Sequence, residues 1–117
     1  MQTHSFKDLV VWQKAYQLVL VIYKETKDFT KTEIYGMAQQ MRRAAVSIPS
    51  NIAEGYGRQH KAEYNQFLSI SYGSLCELET QYLLSIDLGC TNKNELIENL
   101  LLKEVGAMLY RMLNPVH

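Results

Sequence analysis

Met41-Arg42-Arg43-Ala44-Ala45-Val46-Ser47-Ile48-Pro49-Ser50-Asn51-Ile52-Ala53-Glu54-Gly55-Tyr56-Gly57 is the stretch on which the reading of the fold turns. Met41, Ala45, Ile48 and Ile52 recur at spacings of three and four, and Ile34 and Met37 extend the series upstream. That period places them on one face of an α-helix. Pro49 removes a backbone donor and crowds the preceding turn. Ser47, Ser50 and Asn51 carry short polar side chains able to bond the freed backbone groups, so the sequence predicts a helix that kinks at Pro49 without ending there. Gly55 and Gly57 are expected to close it by adopting the left-handed conformation.

The same period continues on both sides. Leu9, Trp12, Tyr16, Val19, Leu20 and Tyr23 form a stripe upstream, and Tyr64, Phe67, Ser71, Leu75, Leu78, Tyr82 and Ile86 form one downstream. Ile97, Leu101, Val105, Met108 and Met112 make the last. Thr30 with Glu33, and Asn92 with Glu95, have the spacing in which side chains cap the amides of a starting helix. Leu88-Gly89 and Asn114-Pro115 mark stops. No strand-like alternation is present. The chain is therefore read as all-α, an antiparallel up-and-down four-helix bundle forming a single domain over 1–117, with helices near 7–27, 33–56, 61–88 and 93–113. Val11, Leu18 and Ile22, and Leu100, Leu102 and Leu109, widen the apolar surface beyond one stripe. The excess fits a subunit interface or a generously packed monomeric core, and composition leaves both open.

A chain of 117 residues, 47% hydrophobic and 21% charged, has the length and balance of one folded domain rather than a disordered tail. Twelve basic and twelve acidic residues cancel. Residues 1–61 nevertheless carry nine Lys/Arg against five Asp/Glu, and residues 62–117 carry three against seven, so the halves stand at +4 and −4. Such a split suits helices or subunits with complementary faces as well as a basic binding face. Cys76 and Cys90 stand at no metal-ligand spacing, and Met1 to Ser5 has no basic-then-apolar leader, so free thiols and a cytoplasmic location are expected. The longest apolar run, Leu18 to Tyr23, is far shorter than the roughly 20 residues a membrane span needs.

Bundles can hold di-iron centres through Glu-x-x-His motifs, but no Glu here has a His three positions later. His4, His60 and His117 are scattered, so no metal or other cofactor is expected. Neither cysteine has a basic neighbour in sequence, and Gly55 and Gly57 follow a helix with no Gly-Lys-Ser/Thr, which excludes a phosphate loop. No enzyme is expected. Arg42 and Arg43 stand out instead. Adjacent helical positions lie about 100° apart, so both cannot point into the core. They contact phosphate or a partner, or form ion pairs with Glu54, Glu77 or Glu79.

Phe6-Lys7-Asp8-Leu9-Val10-Val11-Trp12-Gln13-Lys14-Ala15, Tyr35-Gly36 and Gln40 through Gly55 resemble a bacterial four-helix-bundle family named for proteins encoded in intervening sequences of 23S ribosomal RNA genes. The likeness continues through Gly57-Arg58, Glu63, Phe67-Leu68, Gly73-Ser74 and Glu77-Leu78-Glu79 to Leu88-Gly89. The family is also similar to the accessory protein of diversity-generating retroelements, a barrel-shaped pentamer that binds nucleic acid and a reverse transcriptase. The resemblance implies a homopentamer with a nucleic-acid-associated role and no enzymatic activity. On that reading Arg42, Arg43, Arg58 and Lys61 contact RNA or DNA phosphates. The alternative is a protein-interaction scaffold, with the arginines in ion pairs and the apolar surplus holding subunits or a partner protein.

Overall fold

Ser5 caps a 3-10 turn over Phe6–Asp8, its Oγ accepting from the Lys7 amide at 3.1 Å, before the chain enters its first long helix. The structure, a computed structural model, describes residues 5–30 and 33–116. His4 and His117 lie outside the described residues, as do the side chains of Ile34 and Tyr35. Four helices follow. Helix α1 is Val10–Thr26. Helix α2 opens with a π-helical turn at Ile34–Ala38 and continues as Gln39–Tyr56. Helix α3 is Lys61–Asp87, and α4 runs through Glu95–Glu98, π-helical Asn99–Gly106 and Ala107–Leu113. Among the described residues there is no strand, and the molecule is an all-α helical bundle measuring 44 × 24 × 22 Å. The long axis follows from α3, whose 27 residues at about 1.5 Å each span roughly 40 Å.

The most extensive interface joins α2 to α3. Small residues make it close. Ser47 of α2 meets Ser74 of α3 with their hydroxyls 2.8 Å apart, Ser71 Oγ donates to the Ile48 carbonyl at 2.9 Å, and Ala44 and Ala45 of α2 are buried. α2 is continuous through Pro49, as the sequence predicts. Asn51 Nδ2 donates to the Ser47 carbonyl at 2.8 Å and to Ser47 Oγ at 3.0 Å, tying the turns on either side of the proline together.

Glycine serves differently at three expected stops. At the end of α3, Gly89 takes φ +80°, its amide bonds the Ile86 carbonyl and the Cys90 amide bonds that of Ser85, the paired closure of a left-handed C-terminal cap. Gly57 instead stays right-handed at φ −75°. Gly55 lies buried inside α2, where an added Cβ would come within 2.8 Å of Phe67 Cβ and 3.2 Å of the Tyr64 carbonyl oxygen. Its task is close approach, not helix termination.

Two other sequence expectations are corrected. The start of α4 is capped by Asn94, not Asn92: Asn94 Oδ1 accepts from the Ile97 amide at 3.2 Å. Asn94 also joins three helices, since its side-chain amide donates to Glu25 at 3.0 Å and its backbone amide donates to the Tyr82 hydroxyl at 2.8 Å. The second correction concerns the inward face of α1. Val11, Ala15, Leu18 and Ile22 are buried, whereas Tyr16, Leu20 and Tyr23 are 51%, 59% and 45% exposed. The residues read as surplus form the core, and much of the stripe read as core faces outward. α1 is apolar nearly all round, so two stripes meet the same spacing, and small Ala15 lets the neighbouring helices approach on the side that is buried.

Candidate nucleic-acid interface

Arg42 and Arg43 leave α2 in different directions. Arg42 turns to the end of α1. Its Nε donates to Thr26 Oγ1 at 2.8 Å, its Nη2 to the Tyr23 carbonyl at 3.4 Å, and its guanidinium lies 4.8 Å from the centre of the Tyr23 ring. Thr26 is fully buried and gives its own proton to the Ile22 carbonyl at 2.8 Å. A cation at the carbonyl end of a helix is favourably placed, so Arg42 caps α1. It pairs with none of Glu54, Glu77 or Glu79. Arg43, one position on, is exposed and has no ion-pair partner among the described residues.

The other two candidates lie at the far end of α2. Arg58 Nη2 is 3.3 Å from Glu54 Oε2, and its guanidinium sits 4.9 Å from the Phe67 ring centre. Both members of that pair are well exposed, which keeps the attraction small. Lys61 is the exposed first residue of α3 and likewise has no ion-pair partner among the described residues. The positive end of the helix dipole gives this cation no support. Arg43 and Arg58 are roughly 20 Å apart along the helix axis, taking the rise per residue. The four basic residues therefore do not form one cluster: Arg43 lies near the middle of α2, Arg58 and Lys61 stand beyond its C-terminal end and at the start of α3, and Arg42 is turned to α1.

Two grooves flank α2. On the α1 side an apolar groove of about 370 Å³ is lined by Trp12, Tyr16, Leu20, Val46 and Pro49. On the α3 side a polar groove of about 390 Å³ is lined by Gln40, Arg43, Ser47, Ser74, Glu77 and Gln81. Of the second set the sequence singles out Arg43 as a binding candidate and Glu77 as an ion-pair partner. Gln81 escapes notice because a glutamine in a helix carries no motif, and its burial arises from α2 crossing over it.

Burial, followed by the nearby Glu33 carboxylate, pushes the Cys90 thiol above its ordinary value, with Sγ 3.9 Å from Glu33 Oε2. Cys76 is exposed, as is His60. Among the described residues no three His, Cys, Asp or Glu side chains converge as metal ligands, and no helix is long and apolar enough to cross a membrane. In comparison with known proteins, the family profile described as 23S rRNA-intervening sequence protein matches residues 7–111. No curated protein matches the chain.

Proposed function

We propose a function from this premise: the chain belongs to the 23S rRNA-intervening sequence protein family. It is a non-enzymatic homo-oligomer, a pentamer, that associates with RNA or DNA through phosphate contacts in the cytoplasm. Each subunit is one domain whose helices run alternately up and down. The pairing of α2 with α3 supports that direction, since Ser47 meets Ser74, Ile48 meets Ser71 and Gly55 meets Phe67, numbers rising on one helix as they fall on the other.

The observation that carries the nucleic-acid reading is that Arg43 and Lys61 stand exposed without an ion-pair partner among the described residues, on a chain of zero net charge. Unpaired surface cations remain available for phosphate, and Arg58, whose ion pair with Glu54 is exposed, can exchange that carboxylate for it while keeping its place over Phe67. Arg42 supports the site from behind, as the cap of α1. Gel-shift titration with a structured RNA should give an affinity that falls steeply with salt, as counterion release requires. Arg43→Gln with Lys61→Gln should weaken binding and flatten that salt slope by about two phosphate contacts. Binding that is absent at low salt, or indifferent to salt, overturns the reading.

A second reading, a protein-interaction scaffold, is favoured by one observation: Tyr16, Leu20 and Tyr23 present an exposed apolar face on α1. Such faces commonly meet a partner. In the proposed assembly that partner is another subunit.

A further inference from the structure

The two sides of the bundle differ in charge while both are apolar. α1 packs on α2 and α4, and α3 packs on the same two helices, so the face shared by α1 and α2 lies opposite the face shared by α3 and α4. The α1–α2 face is apolar and basic. Trp12, Tyr16, Leu20 and Tyr23 follow one another along α1 at spacings of four, four and three, which sets them in one row. The first three line the groove of about 370 Å³ that Val46 and Pro49 complete from α2, and its lining includes no carboxylate among the described residues. The charges beside Tyr23 are positive. Lys27, one turn on, is exposed with no ion-pair partner among the described residues, and Arg42 lies over the Tyr23 ring.

The α3–α4 face is apolar and acidic. Tyr72, Cys76, Glu79 and Leu83 recur along α3 at spacings of four, three and four, and the Tyr72 ring lies 6.2 Å from that of Tyr110 on α4. Leu83 and Tyr110 are each more than half exposed, and Cys76 is exposed between them. Glu79, in the same row, has no ion-pair partner among the described residues. The helices behind each face extend the contrast, with nine basic against five acidic residues up to position 61 and three against seven after it. A face laid on its own copy would therefore bring like charge to like, whereas one face laid on the other brings opposite charges together.

We propose that the occupant of the α1–α2 groove is the α3–α4 face of a second copy of this chain, with Leu83 and Tyr110 entering beside Leu20 and Tyr16 and with Glu79 on the side of Lys27 and Arg42. The inference rests on the homo-oligomer reading above and adds which face meets which. Burial of the leucines and tyrosines gives the contact its strength, and the opposite charges give it its choice of face. Because the two faces lie on opposite sides of one chain, every copy engages two different neighbours, which is the heterologous, head-to-tail mode of association.

The test blocks one face at a time and then mixes. Leu20→Glu spoils the α1–α2 face and Leu83→Glu the α3–α4 face, and both side chains already point outward, so circular dichroism should report the parent's helix content in each. Alone, each variant should scatter light with the mass of one chain. Mixed in equal amounts at the concentration where the parent assembles, they should double that mass and stop, because the intact α3–α4 face of one meets the intact α1–α2 face of the other and the remaining faces are both blocked. Two monomeric variants that do not combine overturn the pairing of faces. A Leu83→Glu protein that still assembles shows that α1–α2 faces meet each other or another surface, and overturns it too. Unchanged mass in Leu20→Glu overturns it and leaves the groove to a different partner. In all three cases the homo-oligomer reading stands, whereas a parent that scatters as a monomer overturns both.

Discussion

Arg42 and Arg43 are chemically identical neighbours whose removal should have unequal consequences for stability. Arg42 is half-buried, bonds Thr26 and the Tyr23 carbonyl, and stacks on the Tyr23 ring. Arg42→Ala leaves the last turn of α1 without its cation and the buried Thr26 hydroxyl without its donor. The expected loss is about 1–3 kcal/mol in denaturant unfolding. Arg42→Lys should recover little of it, because an ammonium cannot bond two acceptors in one plane while lying flat on a ring. Arg43→Ala should stay within about 0.5 kcal/mol of the parent, as exposed positions without partners do. An Arg43 variant as unstable as the Arg42 one would show that Arg43 is also structural, and would remove it from the proposed interface.

Within the helices, glycine provides a test of which contacts are tight. Gly55 of α2 lies against α3, where a Cβ would come within 2.8 Å of Phe67 Cβ. Neither that Cβ nor the Tyr64 backbone can swing aside as a flexible side-chain end would. Gly55→Ala should therefore push α2 from α3 and destabilise by about 1–3 kcal/mol. Gly73 of α3 has nothing within 4 Å of its would-be Cβ. There Gly73→Ala should gain about 0.5–1 kcal/mol from helix propensity alone. Thermal melts of the two variants should move in opposite directions, and a stabilised Gly55→Ala would contradict the close helix contact.

For the whole molecule, the exposed apolar faces decide how copies would meet. Tyr16, Leu20 and Val46 stand 51%, 59% and 40% exposed around one apolar groove, while Leu83, Leu84 and Tyr110 are exposed on α3 and α4. One chain thus has separate apolar surfaces, the arrangement that head-to-tail rings use. Leu20→Glu should leave the fold intact, since the side chain already faces outward, and should reduce the mass measured by light scattering to that of one chain. A parent protein that already scatters as a monomer would end the oligomer proposal, and an unchanged oligomer in Leu20→Glu would move the interface away from α1.

Much of this architecture is written into local patterns. The four helices, the continuity of α2 through Pro49 and the glycine closure at Gly89 follow from periodicity and turn chemistry acting over a few residues. The absence of alternation is equally local. Tertiary contact decides the remainder, for a physical reason common to each case: several local solutions were degenerate, and distant residues selected one. α1 had two stripes of equal period until α2 and α4 covered the one with Ala15. Asn92 has the capping spacing with Glu95, but Asn94, held by Tyr82 and Glu25 on other helices, is the residue that caps α4. Arg42 could face any of several glutamates until it met Thr26, sixteen residues earlier and on another helix. Gln81 is buried only in the assembled bundle, since burial of a polar side chain is a property that no single helix possesses.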